Sequence, residues 1–158
     1  MSPMSRSILI AAVRCSVLLL TLCLAAPRLH AGGPVDLDEL RKRAQAAKQE
    51  EQVNLYNDLA RREIELADNL MNGGKPGEGM AYLEESVNDA IHAGDAAVQC
   101  HRRQKETEIA VRKMIKEMKD LQRIVSLDDS QIISQGVNQL EKVRTQLLAS
   151  MFDKQEKK

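Results

Sequence analysis

Aromatic side chains are almost absent from this chain: Tyr56, Tyr82 and Phe152 are the whole complement, with no tryptophan. Single-stranded nucleic acid is usually gripped on stacked aromatic platforms, and those platforms are missing. Ring-stacking ligand pockets are disfavoured for the same reason. Glycine and proline are scarce, 8 and 4 of 158 residues, and they cluster in the first 34 residues and in one loop. Of the three cysteines, Cys15 and Cys23 lie near the N-terminus and only Cys100 lies further on. There is no C-x-x-C, H-x-x-x-H or C-x-x-C-H spacing, so zinc and haem signatures fail and no cofactor is expected. Neither sign of charge dominates, with 23 basic and 23 acidic side chains, which is not the balance of a nucleic-acid binder.

The first 31 residues have the layout of a secretory leader. Arg6 and Arg14 supply a positive start, "CSVLLLTLCLAA" (15–26) an apolar stretch, and "PRLHA" a cleavage region ending at Ala31. Cleavage after Ala31 would leave an exported chain, periplasmic or extracellular, in a bacterium. The competing reading is an uncleaved anchor, since residues 8–26 are apolar except for Arg14 and just reach spanning length. Membrane attachment is expected only in that case. Cleavage removes Arg6, Arg14 and Arg28, so the charge balance becomes an acidic excess of three. It also leaves Cys100 alone, as a small buried group, a free thiol or an interchain bridge.

What the chain does have is helix formers: Ala, Leu, Glu, Lys, Gln, Arg and Met dominate. The composition and its 3.6-residue periodicity indicate an all-α fold, with residues 32–152 as one helical domain. After "GGP" (32–34), Asp36 and Glu39 make a capping box. No Gly or Pro follows until 73, so one helix over 37–71 is the default, with "KQEEQ" (48–52) as the place where it could break. The loop "NGGKPGEG" (72–79) lacks both G-x-x-x-x-G-K-[ST] and G-x-G-x-x-G, so it is not a phosphate cradle. Its residues suit a turn: Gly73 or Gly74 ends one helix left-handed, and Pro76 opens the next. That second helix is expected to stop at Gly94, with Asp95 capping a third.

From Ala97 a heptad seam runs through Cys100, Gln104, Thr107, Val111, Met114, Met118, Leu121 and Val125. Ile109, Ile115 and Ile124 widen it beyond a two-stranded coiled coil, towards packing inside a bundle. "SLDD" (126–129) offers a second capping box, and Ile133, Val137, Leu140, Leu147 and Met151 form the face of a last helix. Residues 153–158 are expected to fray as a solvated, disordered tail. The whole predicts about four antiparallel helices, in long helical hairpins or a bundle.

Leu66, Ala67 and Leu70, followed by Gly79, Leu83 and Ser86, resemble the first and second helices of a tetratricopeptide-like hairpin. The resemblance covers about 35 residues, and the aromatic and final proline positions of that repeat are not met. With the leader, this hairpin and a long helix leading into "LEKVRTQLLASMF" (140–152), the chain is similar to exported bacterial helical proteins. That resemblance implies no activity. "LDDSQ" (127–131) shares Leu127 and Gln131 with the Leu-Thr-x-x-Gln motif of periplasmic stress sensors, but Asp128 replaces the threonine.

No catalytic constellation is legible. His92, Cys100 and His101 are close in sequence, but His92 and Cys100 would sit about 80° apart on a helix and His101 further round. The paired acids Glu50/Glu51, Glu63/Glu65 and Glu84/Glu85 read as solvated faces, and the mixed charges from His101 to Arg123 as intrahelical ion pairs. The expectation is a non-enzymatic exported module for protein–protein interaction or self-assembly, its partner a protein or a second copy and not nucleic acid. An envelope structural or stress-responsive protein is the alternative. Gln104, Thr107 and Cys100, the polar and thiol positions of the seam, are the candidate interaction residues.

Overall fold

The computed structural model describes residues 36–156, with side chains to Asp153. The leader lies outside the described residues. Asp36–Lys158 forms one compact unit, all-helical among the described residues, with five helices: α1 (Leu37–Ala46), α2 (Gln49–Asn72), α3 (Pro76–Cys100), α4 (Gln104–Leu121) and α5 (Leu127–Glu156).

Two of the expected turns form as their residues dictate. Gly74 takes φ +78°, and the amide of Lys75 reaches back to the Leu70 carbonyl at 2.9 Å, closing the end of α2. Pro76 then opens α3, where its missing N–H costs nothing. At the head of α5 the Ser126 hydroxyl accepts from the Asp129 amide at 3.2 Å and donates to its carboxylate at 2.8 Å, a reciprocal cap. Asp36 caps α1 through the amides of Asp38 and Glu39.

Other expectations need correction. The stretch 37–71 is two helices, broken at Ala47–Lys48 beside the "KQEEQ" segment. Gly94 does not end a helix. It lies buried in the middle of α3, and a Cβ there would overlap Cγ1 of Val143 on α5. The glycine is a contact point, where α5 presses onto the α3 backbone. Chain reversal comes instead at 101–103, where His101 and Arg103 take φ values of 53° and 54° without being glycine. Ile115 is in the core, but Ile109 and Ile124 are 45% and 62% exposed. The last helix runs on through Glu156, so the backbone of 153–156 is helical where fraying was expected.

α2 and α3 run antiparallel: Gln49 donates to Gln99 at 2.8 Å near one end, and Gly79 packs on Ala67 and Met71 near the other. Small residues line their contact, with Ala60, Ala67, Ala90 and Ala97 inaccessible to solvent. α4 and α5 also run antiparallel, tied by Gln104 to Ser150, Arg144 to Glu108, and Gln122 to Ser134. Val111, Met118, Ile133, Leu140 and Leu147 fill the space between them and join the main core. α1 packs through a separate small core of Leu40, Ala44, Tyr56, Leu59 and Ala93.

The glycine contact has a measurable consequence. Alanine normally gains about 1 kcal/mol over glycine inside a helix. At Gly94 the overlap with the β-branched Val143 should reverse the sign, so Gly94→Ala should lower stability by about 1–2 kcal/mol in urea denaturation. Gly77→Ala, where nothing lies within 4 Å of the new Cβ, should be neutral or stabilising.

Candidate functional site

The most unusual chemistry sits under α1. Glu63 on α2 continues the apolar row Leu59–Glu63–Ala67, one residue per helical turn, and is completely buried. Asp89 on α3, 5% exposed, faces the same space. Arg41 of α1 enters from above. Its Nη2 donates to Glu63 Oε1, lies 3.0 Å from Glu85 Oε2 and 3.6 Å from Asp89 Oδ2. Asp38 touches the same guanidinium at 3.8 Å. The rings of Tyr56 and His92, with centroids 5.1 Å apart, border an open cleft of about 290 Å³ beside the cluster.

Four carboxyl groups thus share one guanidinium, and two of their oxygens, Glu63 Oε2 and Asp89 Oδ2, are buried without a donor. A proton held between them supplies the missing donor. Burial, and next the charge of Asp89, push the Glu63 carboxyl up to about 8, and Arg41 only partly offsets this. Burial also raises Asp89, against the pull of Arg41 and the hydrogen bond from Glu63. At neutral pH the pair therefore keeps a proton, with Glu63 the group held protonated. Such a shared-proton pair is acid–base chemistry in other settings. Here Arg41 and α1 cover Glu63, while Asp89 lies at the wall of the open cleft.

Adjacent acids on α2 had read as a solvated face, and for Glu63 the structure corrects that. The signal was present: Glu63 and Asp89 fall in phase with the buried rows of their helices, and Arg41 with Leu37 and Ala44. Partners on other helices, which a sequence does not reveal, were needed to read it.

The candidate interaction residues of the seam make contacts within this chain. Gln104 and Thr107 are both buried. Gln104 Nε2 donates to Ser150 Oγ at 2.6 Å. Thr107 Oγ1 donates to the Arg103 carbonyl at 2.9 Å and accepts from Asn57 at 3.0 Å. Both therefore tie α4 to neighbours within the same chain. Cys100 is half-buried at the end of α3, a free thiol packed at the margin of the main core. His92 and His101 are exposed. Among the described residues no group of three or more His, Cys, Asp or Glu is placed to hold a metal.

A second region is apolar. Between α2 and α4 a groove of about 330 Å³ is lined by buried Ile64 and Leu121, by exposed Ile124, and by the acids Glu65, Asp68, Glu117 and Asp120. Leu127, a little further along the chain, is 78% exposed. Compared with protein-family models, with curated proteins and with solved structures, the chain matches none of them.

The proton-sharing pair makes stability depend on pH. The unfolded chain releases the Glu63 proton near its ordinary 4.5, and the folded protein holds it to about 8. The stabilisation is therefore complete below about pH 4.5, declines as pH rises, and is gone above about pH 8. Asp58 acts oppositely: burial raises it, but hydrogen bonds from Arg61 and Arg62 win and hold it low, so its contribution fades only in stronger acid. Thermal and urea unfolding should show a loss on the order of 2–4 kcal/mol between about pH 5 and about pH 9. Glu63→Gln, which keeps both a donor and an acceptor, should flatten that slope. An unchanged slope in the variant would place the titration elsewhere.

Proposed function

We propose that this protein is a non-enzymatic, exported helical module that works by binding protein, and that its groove between α2 and α4 receives a basic amphipathic helix. One observation carries the reading. The groove combines apolar side chains with four carboxylates and has no cationic side chain among its lining residues. Helix-in-groove recognition needs this pairing: apolar anchors at i, i+3, i+4 and i+7 below, charge complementarity at the sides. The acids are engaged only in exposed pairs, such as Arg61–Glu65, Lys113–Glu117 and Arg123–Asp120. Such pairs contribute little and exchange readily for a partner's cations. Ile124, at the edge of the groove, is 62% exposed.

The tetratricopeptide-like resemblance of the first hairpin agrees with this role. Gly79, Leu83 and Ser86, its small-large-small set, are buried on α3, and Gly79 packs against Ala67 and Met71 of α2. Export rests on the leader, and the bacterial setting on the family resemblance.

A fluorescein-labelled amphipathic helix of leucine and lysine is the probe. It should bind saturably by fluorescence anisotropy, and a leucine–glutamate version should not. Ile124→Glu and the charge reversal Glu117→Lys/Asp120→Lys should each weaken binding tenfold or more, with Glu50→Lys, far along α2, as a neutral control. Equal affinity across all variants would remove the groove as the docking site.

A further inference from the structure

The break between α1 and α2 has no local cause. Ala46, Ala47, Lys48 and Gln49 are among the best helix formers. Lys48, the residue that opens α2, makes no side-chain capping bond. Ala47 and Lys48 are simply extended, with φ/ψ of −77°/162° and −72°/154°. From Leu37 to Asn72 there is neither glycine nor proline. Local propensity therefore favours one continuous helix over 37–72. What opposes it is the docking of α1, through Leu40 and Ala44 and through Arg41 above Glu63, Glu85 and Asp89.

Within one chain these two demands exclude each other. A straight helix carries Arg41 away from the carboxyl pocket and uncovers Tyr56 and Leu59. A docked α1 requires the broken helix. Two copies satisfy both at once, if each extends its helix and lays α1 on the other. We propose that α1 exchanges between two copies of this chain, with Arg41 of each copy filling the Glu63–Asp89–Glu85 pocket of the other.

The pocket points to its ligand independently of this argument. Its carboxylates Glu63, Glu85 and Asp89 converge on a guanidinium, which donates to Glu63 Oε1 and Glu85 Oε2 and lies 3.6 Å from Asp89 Oδ2. The exchanged arrangement is isologous, as a two-fold dimer requires. It reuses contacts already present and adds the backbone hydrogen bonds that a continuous helix makes across 47–48. Its register follows from Arg41 facing Glu63: two antiparallel helices so aligned cross at Gln52, which is half-buried in the present arrangement. The surface used is separate from the α2–α4 groove, so this inference does not rest on that reading.

Lys48→Pro discriminates between the two forms. Proline fits the observed φ of −72°, and Ala47 already has the extended backbone that a residue before proline prefers. It therefore permits the broken helix and forbids the continuous one. The protein from Gly32 on contains the whole compact unit. It would be incubated near its melting midpoint, cooled, and measured by light scattering over a range of concentrations. We expect the mass to double with concentration. In a Cys100→Ser background, Gln52→Cys should form an interchain disulfide on mild oxidation. Lys48→Pro should melt no lower than the parent yet stay monomeric and fail to cross-link. Ile124→Glu should still dimerise. A parent that is monomeric at every concentration, a Lys48→Pro protein that dimerises equally, or a dimer abolished by Ile124→Glu would each overturn the exchange.

Discussion

A carboxyl pair buried where two helices meet sets the terms for this end of the molecule. Glu63 and Asp89 have been taken out of water, and one guanidinium is not enough to balance them together with Glu85. The arrangement closes only if a proton remains with the pair. Buried ion clusters of this kind add little net stability, because desolvation consumes most of the attraction. Apolar residues of similar size would hold the helices at least as well. What the cluster supplies is position. α1 has ten residues, too few to be helical alone in water. It exists as a helix because Asp36 caps it, Leu40 and Ala44 bury, and Arg41 finds one place where its charge is answered.

That place depends in turn on how closely α2 and α3 approach. Alanines at 60, 67, 90 and 97, with Ser86 and Gly79, leave little side-chain bulk between the two backbones. A contact lined by larger residues would separate Glu63 from Asp89 and admit water. The α4–α5 hairpin then settles on the same small-residue surface. Val143 sits against Gly94, and Met118 approaches Gly136. The scarcity of aromatic residues and the abundance of alanine thus have a structural meaning: the helices pack by close backbone approach, with Met, Leu and Val filling what remains.

The parts of this architecture that were legible in the sequence are those with local causes. The Gly74–Pro76 turn, the Ser126 cap and the buried face of α5 follow from residues within a few positions of one another. So does the seam of α4, where Gln104, Thr107, Val111, Met114, Met118 and Leu121 are all buried. Features with non-local causes were misread. Gly94 looks like a helix stop until Val143 is seen above it. Glu63 looks like half of a solvated acidic pair until Arg41 and Asp89 arrive from other helices. Ile124 looks like core, and is instead the exposed edge of a groove. The reversal at 101–103 uses two left-handed residues that are not glycine, so no turn signal marks it. In the candidate site the residue types were visible and their convergence was not.

The two joints that propensity does not explain differ in what holds them. The α3–α4 joint stores strain at His101 and Arg103, roughly 1–2 kcal/mol for each left-handed residue. It sits against the main core, with Thr107 tied to Arg103 and to Asn57 just beyond it. The α1–α2 joint is unstrained, and only the small core of Leu40, Ala44, Tyr56, Leu59 and Ala93, with the Arg41 cluster, keeps α1 down. Opening free energies follow buried apolar contact, so the strained joint is the secure one and the relaxed joint is the one that opens first. The proton on Glu63 acts at this weaker joint. Losing it leaves two buried negative charges facing one another and adds electrostatic repulsion where the fold has least apolar contact to oppose it.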